Sequence, residues 1–184
     1  MSGRRSAFRQ KGTSMKTKFF IVAALIASLM ACSKLSEEQI MEKAIDAQKG
    51  NQFEKALEHY QALLDTYPKS NKVPEALYAM GSIYQNQKEF AKAVGVYARI
   101  AKEYPEHATA SSASFLVGFI YSNELKNYPA AKTAYEEFLQ KYPSSPMASS
   151  AKFELDNLGK DPEEIIREKV PRAEQKPSKS AKSR

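Results

Sequence analysis

The chain has 184 residues, which leaves room for one domain with appendages. Its formal charge of +7 comes from its ends: residues 1–31 carry six basic side chains and no acid, whereas residues 33–160 carry 15 basic and 16 acidic ones. This nearly neutral middle lacks the basic face that nucleic-acid binding requires, and a single cysteine excludes an intramolecular disulfide.

The N-terminal segment has the features of a targeting sequence. The thirteen residues Phe19–Ala31 carry no charge, and they are too few to span a bilayer, which needs about 20 apolar residues. Lys16 and Lys18 precede this stretch and small residues close it, as in a secretory signal peptide. We therefore predict a signal peptide over residues 1–31. A chain translated from Met15 would still begin with a complete signal peptide.

The apolar stretch ends at the only cysteine, in the run Leu29-Met30-Ala31-Cys32. This run resembles the lipobox of bacterial lipoproteins. The resemblance implies that Cys32 is lipidated and becomes the mature N-terminus, that residues 32–36 form a short tether, and that Ser33 favours the outer membrane. Two alternatives stay open: a signal peptide that is cut without lipidation, and a buried helix in a cytosolic protein.

A repeat of 37 to 38 residues organises the rest of the chain. The dipeptide Tyr-Pro begins at Tyr67, Tyr104 and Tyr142, at spacings of 37 and 38 residues. Further residues keep the same register: Phe53, Phe90 and Tyr128; Ala56, Ala93 and Ala131; Tyr60, Tyr97 and Tyr135; Gly81 and Gly118; Tyr84 and Tyr121. Such a period is typical of a solenoid of stacked supersecondary units.

Each unit is predicted to contain two helices. In unit two, apolar residues at helical spacing predict one helix over Val73–Asn86 and another over Phe90–Glu103, which ends where proline cannot continue it. Unit three has one extra residue, which we place in the turn between its helices. Met147–Leu158 begins a fourth unit and predicts a capping helix. The predicted fold class is therefore all-α, with three helical hairpins and a capping helix over residues 37–160.

The repeated residues resemble the tetratricopeptide pattern, in which leucine-glycine, tyrosine, alanine and proline stand at fixed positions. Unit two matches this pattern at Leu77, Gly81, Tyr84, Ala93 and Pro105. Because the unit exceeds the standard length and continues after Tyr-Pro, the chain resembles the periplasmic tetratricopeptide proteins of Gram-negative bacteria, of the BamD and YbgF (Tol-Pal associated) type.

This resemblance implies a scaffold at the periplasmic face of the outer membrane, anchored by its N-terminal lipid. Such a scaffold binds a protein or peptide partner in cell-envelope or outer membrane protein assembly. Two alternative functions stay open, a cytosolic adaptor and an assembly subunit of a larger enzyme or secretion complex.

Nothing in the sequence indicates an enzyme. The two histidines, His59 and His107, have no second ligand at metal-binding spacing, and no glycine-rich phosphate loop or nucleophile elbow occurs. Acidic pairs such as Glu37-Glu38 fall on predicted helix faces, where solvation is the ordinary explanation. We therefore expect no catalytic residue, no cofactor, no metal and no nucleic-acid partner.

The predicted binding surface lies on the first helices of units two and three. The resemblance implies a peptide-binding groove at eight positions there: Tyr78, Ser82, Gln85, Asn86, Phe115, Phe119, Ser122 and Asn123. Alternative roles stay open, because the aromatic side chains can pack between repeats and the two asparagines can end their helices. Beyond this domain, residues 161–184 are predicted to be a basic, disordered tail that begins with a short helix near Glu163–Lys169.

Overall fold

The computed structural model describes residues 34–169. The predicted signal peptide, the proposed lipidation site Cys32 and the tail after Lys169 lie outside the described residues. The chain divides into two compact units, residues 1–36 and residues 37–184, and all the helices described here belong to the second.

The second unit is built from paired helices, as predicted. Each helix from the first to the sixth packs against the next one along the chain. Their bounds are α1 Glu37–Lys49, α2 Phe53–Thr66, α3 Val73–Asn86, α4 Phe90–Glu103, α5 Ala110–Phe119 with a π-helical turn Ile120–Glu124, α6 Tyr128–Lys141, α7 Ala148–Asp156 and α8 Pro162–Lys169. None of the helices between residues 34 and 169 is both long and apolar enough to cross a bilayer.

The two helices of each hairpin are joined by the same tight turn. Asn51, Lys88 and Lys126 each adopt a positive φ, of 56°, 60° and 51°. In unit two the amide of Glu89 closes the turn by donating to the carbonyl of Tyr84, at 2.8 Å. A left-handed residue at this point reverses the chain within three residues, so the two helices of a hairpin lie side by side.

The extra residue of unit three does not lie in its turn, where we predicted it. It lies in the last turn of the first helix, which widens into the π-helical turn: the amide of Leu125 donates to the carbonyl of Ile120, five residues back, at 3.0 Å. The turn itself keeps its three residues and its left-handed Lys126. Because that geometry is fixed, the insertion is absorbed by the helix before it.

A buried tyrosine on each second helix fills the interior of its hairpin. Tyr60, Tyr97 and Tyr135 are each at most 1% exposed. Tyr97 packs on Gly81 so closely that a Cβ at that glycine would lie 2.6 Å from the ring, and Tyr135 packs on Gly118 in the same way. The repeated glycine therefore makes room for the ring of the repeated tyrosine.

The hydroxyls of Tyr60 and Tyr135 differ in hydrogen bonding, so substitution by phenylalanine should affect stability differently at the two positions. The Tyr60 hydroxyl donates to Gln48 Oε1 at 2.7 Å, whereas the buried Tyr135 hydroxyl has no hydrogen-bond partner among residues 34–169. We expect Tyr60→Phe to lower the free energy of unfolding by about 1 kcal/mol, and Tyr135→Phe to leave it unchanged or raise it by up to about 1 kcal/mol. Urea denaturation measures both. An equal loss in the two variants would contradict this prediction.

Burial of these tyrosines also makes stability depend on pH. Burial raises the pKa of Tyr97, with a contribution from Tyr78, and it raises the pKa of Tyr135, with a contribution from the Glu154 carboxylate. An unfolded tyrosine ionises near pH 10, about the model-peptide value. The unfolded chain therefore loses protons first, and stability is complete below about pH 9 and falls as the pH rises above about 10.

We expect each of these two tyrosines to account for about 1 kcal/mol of lost stability by pH 11. Denaturation of wild type and of Tyr97→Phe from pH 8 to pH 11 tests this expectation. The variant should show a shallower decline at high pH, and parallel curves would contradict the assignment.

Candidate protein-binding surface

The first-helix surface, defined here by α1, α3 and α5 with its π-helical turn, carries all eight predicted groove residues. The structure places them at different depths. Tyr78, Ser82, Gln85, Phe115 and Phe119 are half-buried, Asn86 and Asn123 are exposed, and Ser122 is buried at 6% exposure.

Tyr78 lies at the boundary between core and surface. Its ring centroid is 5.4 Å from that of Tyr97, with a tilt of 59° between the rings. It also packs against the main hydrophobic core while part of its side chain stays open to solvent. Tyr78 therefore stabilises the contact between α3 and α4, and only its outer part is open to solvent.

Phe115 is held more firmly in the core. Its ring centroid lies 5.8 Å from Tyr135 and 5.8 Å from Phe138, both on α6 and both fully buried. Phe119, one helical turn further along, stacks on the other side of Phe115 at 6.4 Å. The two phenylalanines thus differ in role, because Phe115 joins two helices whereas Phe119 extends this aromatic cluster towards the surface.

The structure at the ends of α3 and α5 determines the hydrogen bonding and exposure of the polar side chains there. Asn123 Nδ2 donates to the carbonyl of Phe119, at 3.2 Å, so this amide bonds back to its own helix. Ser122 stands in the π-helical turn and is buried there, whereas Gln85, the equivalent residue of unit two, is half-buried. The insertion in α5 therefore changes which polar groups this part of the surface presents.

The structure also shows a site that the sequence reasoning missed. A surface cavity of about 360 Å³ lies beside α1, with Met41 and Ile45 in its lining. Glu38, Glu42, Asp46, Lys49 and Lys72 also line it, and Lys72 Nζ lies 3.7 Å from Glu38 Oε1. Met41 and Ile45 stand 37 residues before Tyr78 and Ser82, so the repeat spacing alone would have found them.

The first-helix surface presents both apolar and polar groups. Half-buried aromatic side chains such as Tyr78 and Phe119 share it with exposed amides such as Asn86 and Asn123. Within the described part of the chain, no group of three or more His, Cys, Asp or Glu side chains is arranged to hold a metal ion.

Comparison with known proteins supports both the fold and the cellular location. The family profile described as "YfiO: Outer membrane lipoprotein" matches residues 33–161. Among solved structures, the "Arabidopsis OM64 TPR domain" is similar, with a TM-score of 0.51 and 18% identity over 66% of this chain and 94% of that one. No curated protein matches the chain significantly.

The structural likeness confirms the predicted tetratricopeptide fold. The family match confirms the predicted resemblance to outer membrane lipoproteins, the outer membrane location and a lipoprotein role in place of an enzymatic one; it also rules out the cytosolic adaptor. Since the matched residues make up more than half of its length, the chain belongs to the YfiO family of outer membrane lipoproteins.

Proposed function

We propose that this lipoprotein is a periplasmic scaffold whose first-helix surface binds a protein or peptide segment of an envelope partner during outer membrane protein assembly. The observation that carries this proposal is the run of half-buried apolar side chains on successive first helices: Ile45 on α1, Tyr78 on α3 and Phe119 on α5. These side chains offer successive contacts to one extended segment, and polar groups such as Asn86 flank them.

The proposal includes a lipid anchor at Cys32 after removal of residues 1–31. The family match begins at residue 33, directly after this cysteine, which supports a mature chain that starts at Cys32. Four residues, 33–36, separate Cys32 from α1 and span about 14 Å at most. The repeat domain, residues 37–160, is therefore held within a short distance of the membrane, ahead of the basic tail of residues 161–184.

Substitution of Cys32 tests the anchor. We expect Cys32→Ala to abolish incorporation of labelled fatty acid, because no thiol is left to accept the acyl group. Metabolic labelling with a clickable fatty acid measures this effect. Ser33→Ala is the matched control and should remain labelled. A Cys32→Ala protein that is still labelled would rule out this anchor.

Site-specific photocrosslinking tests the first-helix surface. A photoreactive amino acid placed at Ile45 or Phe119 in intact cells should give one discrete crosslinked product with an envelope protein. The matched control is Gly95, an exposed position on α4 where a side chain would meet nothing within 4 Å. If Gly95 gave the same product, or if Ile45 and Phe119 gave none, the first-helix surface would not be the binding site.

A further inference from the structure

Two equivalent grooves lie between consecutive repeats. The first inter-repeat groove, between α2 and α3, has a volume of about 430 Å³, and Gln61, Asp65 and Met80 are part of its lining. The second inter-repeat groove, formed by α4, α5 and α6, has about 350 Å³ and contains Ala98, Lys102 and Val117. The two grooves contain equivalent positions, each 37 residues apart in the sequence: Gln61 and Ala98, Asp65 and Lys102, and Met80 and Val117. The same groove therefore recurs with different side chains.

The two grooves differ in charge. Glu54, Glu58 and Asp65 line the first groove, and in the described part of the chain no basic side chain joins them in its lining. The second groove has Lys102 and Lys141 against one carboxylate. One repeat therefore carries an acidic groove where the next carries a basic one.

The hydrogen bonds in the first inter-repeat groove do not neutralise its carboxylates. Glu54 Oε1 accepts from the amide of Gln87 at 3.1 Å, and Asp65 Oδ1 accepts from the amide of Gln61 at 2.8 Å. Both donors are neutral, so neither carboxylate is compensated by these bonds. Lys92, whose ammonium lies 5.4 Å from the centroid of the Tyr84 ring at the groove, is itself paired with Glu89.

The same chain contains a segment of complementary charge. Residues 170–184 carry five basic side chains and one acid, Glu174. Apolar residues such as Val170 and Ala173 stand among them, which suits a groove lined by Leu57 and Met80 between its carboxylates. Opposite charge and interspersed apolar groups are what this groove requires of an occupant.

The segment is comparable in length with the helix stack. Fifteen residues span about 50 Å when extended. Five helix-to-helix contacts separate α2 from α7, a path of about 50 Å at most at 8–10 Å per contact, and residues 157–169, which include α8, lie between α7 and the segment. Tethering gives the segment a high effective concentration at the groove.

We propose that residues 170–184 bind the first inter-repeat groove of the same molecule. Individual exposed ion pairs are weak, so binding depends on several of them together and decreases as salt screens their charges.

Paramagnetic relaxation in the soluble form, residues 33–184, tests this proposal. That form contains every described helix and lacks Cys32, so Ser183→Cys provides the only attachment point for a nitroxide spin label. We expect selective loss of the amide signals of α2, around Leu57–Asp65, at low salt and their recovery in 0.5 M salt, a concentration at which the screening length is roughly a few ångströms.

The repeat itself supplies the control variants. Asp65→Lys places in the first groove the residue type that Lys102 supplies in the second, and we expect it to abolish the loss of signal at α2. Lys102→Asp should leave that loss unchanged. Circular dichroism confirms that both variants, altered only at exposed positions, remain folded.

Three results would overturn the proposal. The first is no signal loss at α2, or equal loss around the second groove. The second is signal loss that persists in Asp65→Lys. The third is loss that disappears on dilution, because the label would then act on a second molecule.

Discussion

Phe115→Ala is expected to destabilise the helical unit by about 3 kcal/mol, at the low end for a phenylalanine truncation because the side chain is half-buried. The loss is large because one ring contacts Tyr135 and Phe138 on α6 and Phe119 on its own helix. Truncation leaves a space between α5 and α6 that the fully buried Phe138 cannot fill without moving. Guanidinium denaturation followed by circular dichroism measures the change.

Phe119→Ala is the matched control for this prediction. The side chain has the same size, lies one turn away and stacks on Phe115 alone among the ring contacts described. We expect it to cost about 1 kcal/mol of stability, as for an aromatic pair at the edge of a cluster. If Phe119 contacts the partner, Phe119→Ala should also reduce the yield of the crosslinked envelope protein. The variant and the wild type are compared at equal levels of folded scaffold. Equal destabilisation by the two variants would contradict the different roles assigned to these phenylalanines.

Much of the fold could be predicted because the repeat restricts glycine and proline to fixed positions. Glycine at position 81 is needed where the Tyr97 ring comes within van der Waals distance of the backbone, and proline at position 105 follows the end of α4. Each of these requirements recurs every 37 or 38 residues, so a spacing in the sequence corresponds to a spacing of helices.

The details of the candidate site were harder to predict, for physical reasons. A single inserted residue can enter either a turn or the helix before it, and only the conserved geometry at Lys126 decides in favour of the helix. Ser122 is buried as a consequence. Tyr78 and Phe115 stand at the edge of their helices' buried faces, where helical periodicity does not distinguish a core residue from a contact residue.

The cavity beside α1 was missed because unit one departs from the repeat pattern at its first helix. Alanine stands there at position 44, where the later units have glycine, and it is fully buried against the α1–α2 pair. A search for the pattern residues therefore finds little in α1. A search by the 37-residue offset leads from Tyr78 and Ser82 to Met41 and Ile45.

The close contact between glycine and tyrosine gives the second large prediction. A Cβ at Gly118 would lie 2.7 Å from the Tyr135 ring, closer than non-bonded carbon atoms approach, and the ring is fully buried. Overpacking of this kind costs about 1–3 kcal/mol, and alanine returns about 1 kcal/mol of helix propensity. We expect Gly118→Ala to lose up to about 2 kcal/mol of stability in total.

Gly95→Ala provides the control that separates packing from helix propensity. Gly95 stands in the middle of α4, it is exposed, and a Cβ there would meet nothing within 4 Å. The same substitution should therefore raise the free energy of unfolding by up to about 1 kcal/mol through helix propensity alone. The two variants should thus differ by about 1–3 kcal/mol in urea denaturation, because helix propensity is common to both and only Gly118→Ala places a methyl group against the tyrosine ring. If both variants were stabilised, the Tyr135 ring would have room to move, and the repeated glycine would not be needed to seat the repeated tyrosine.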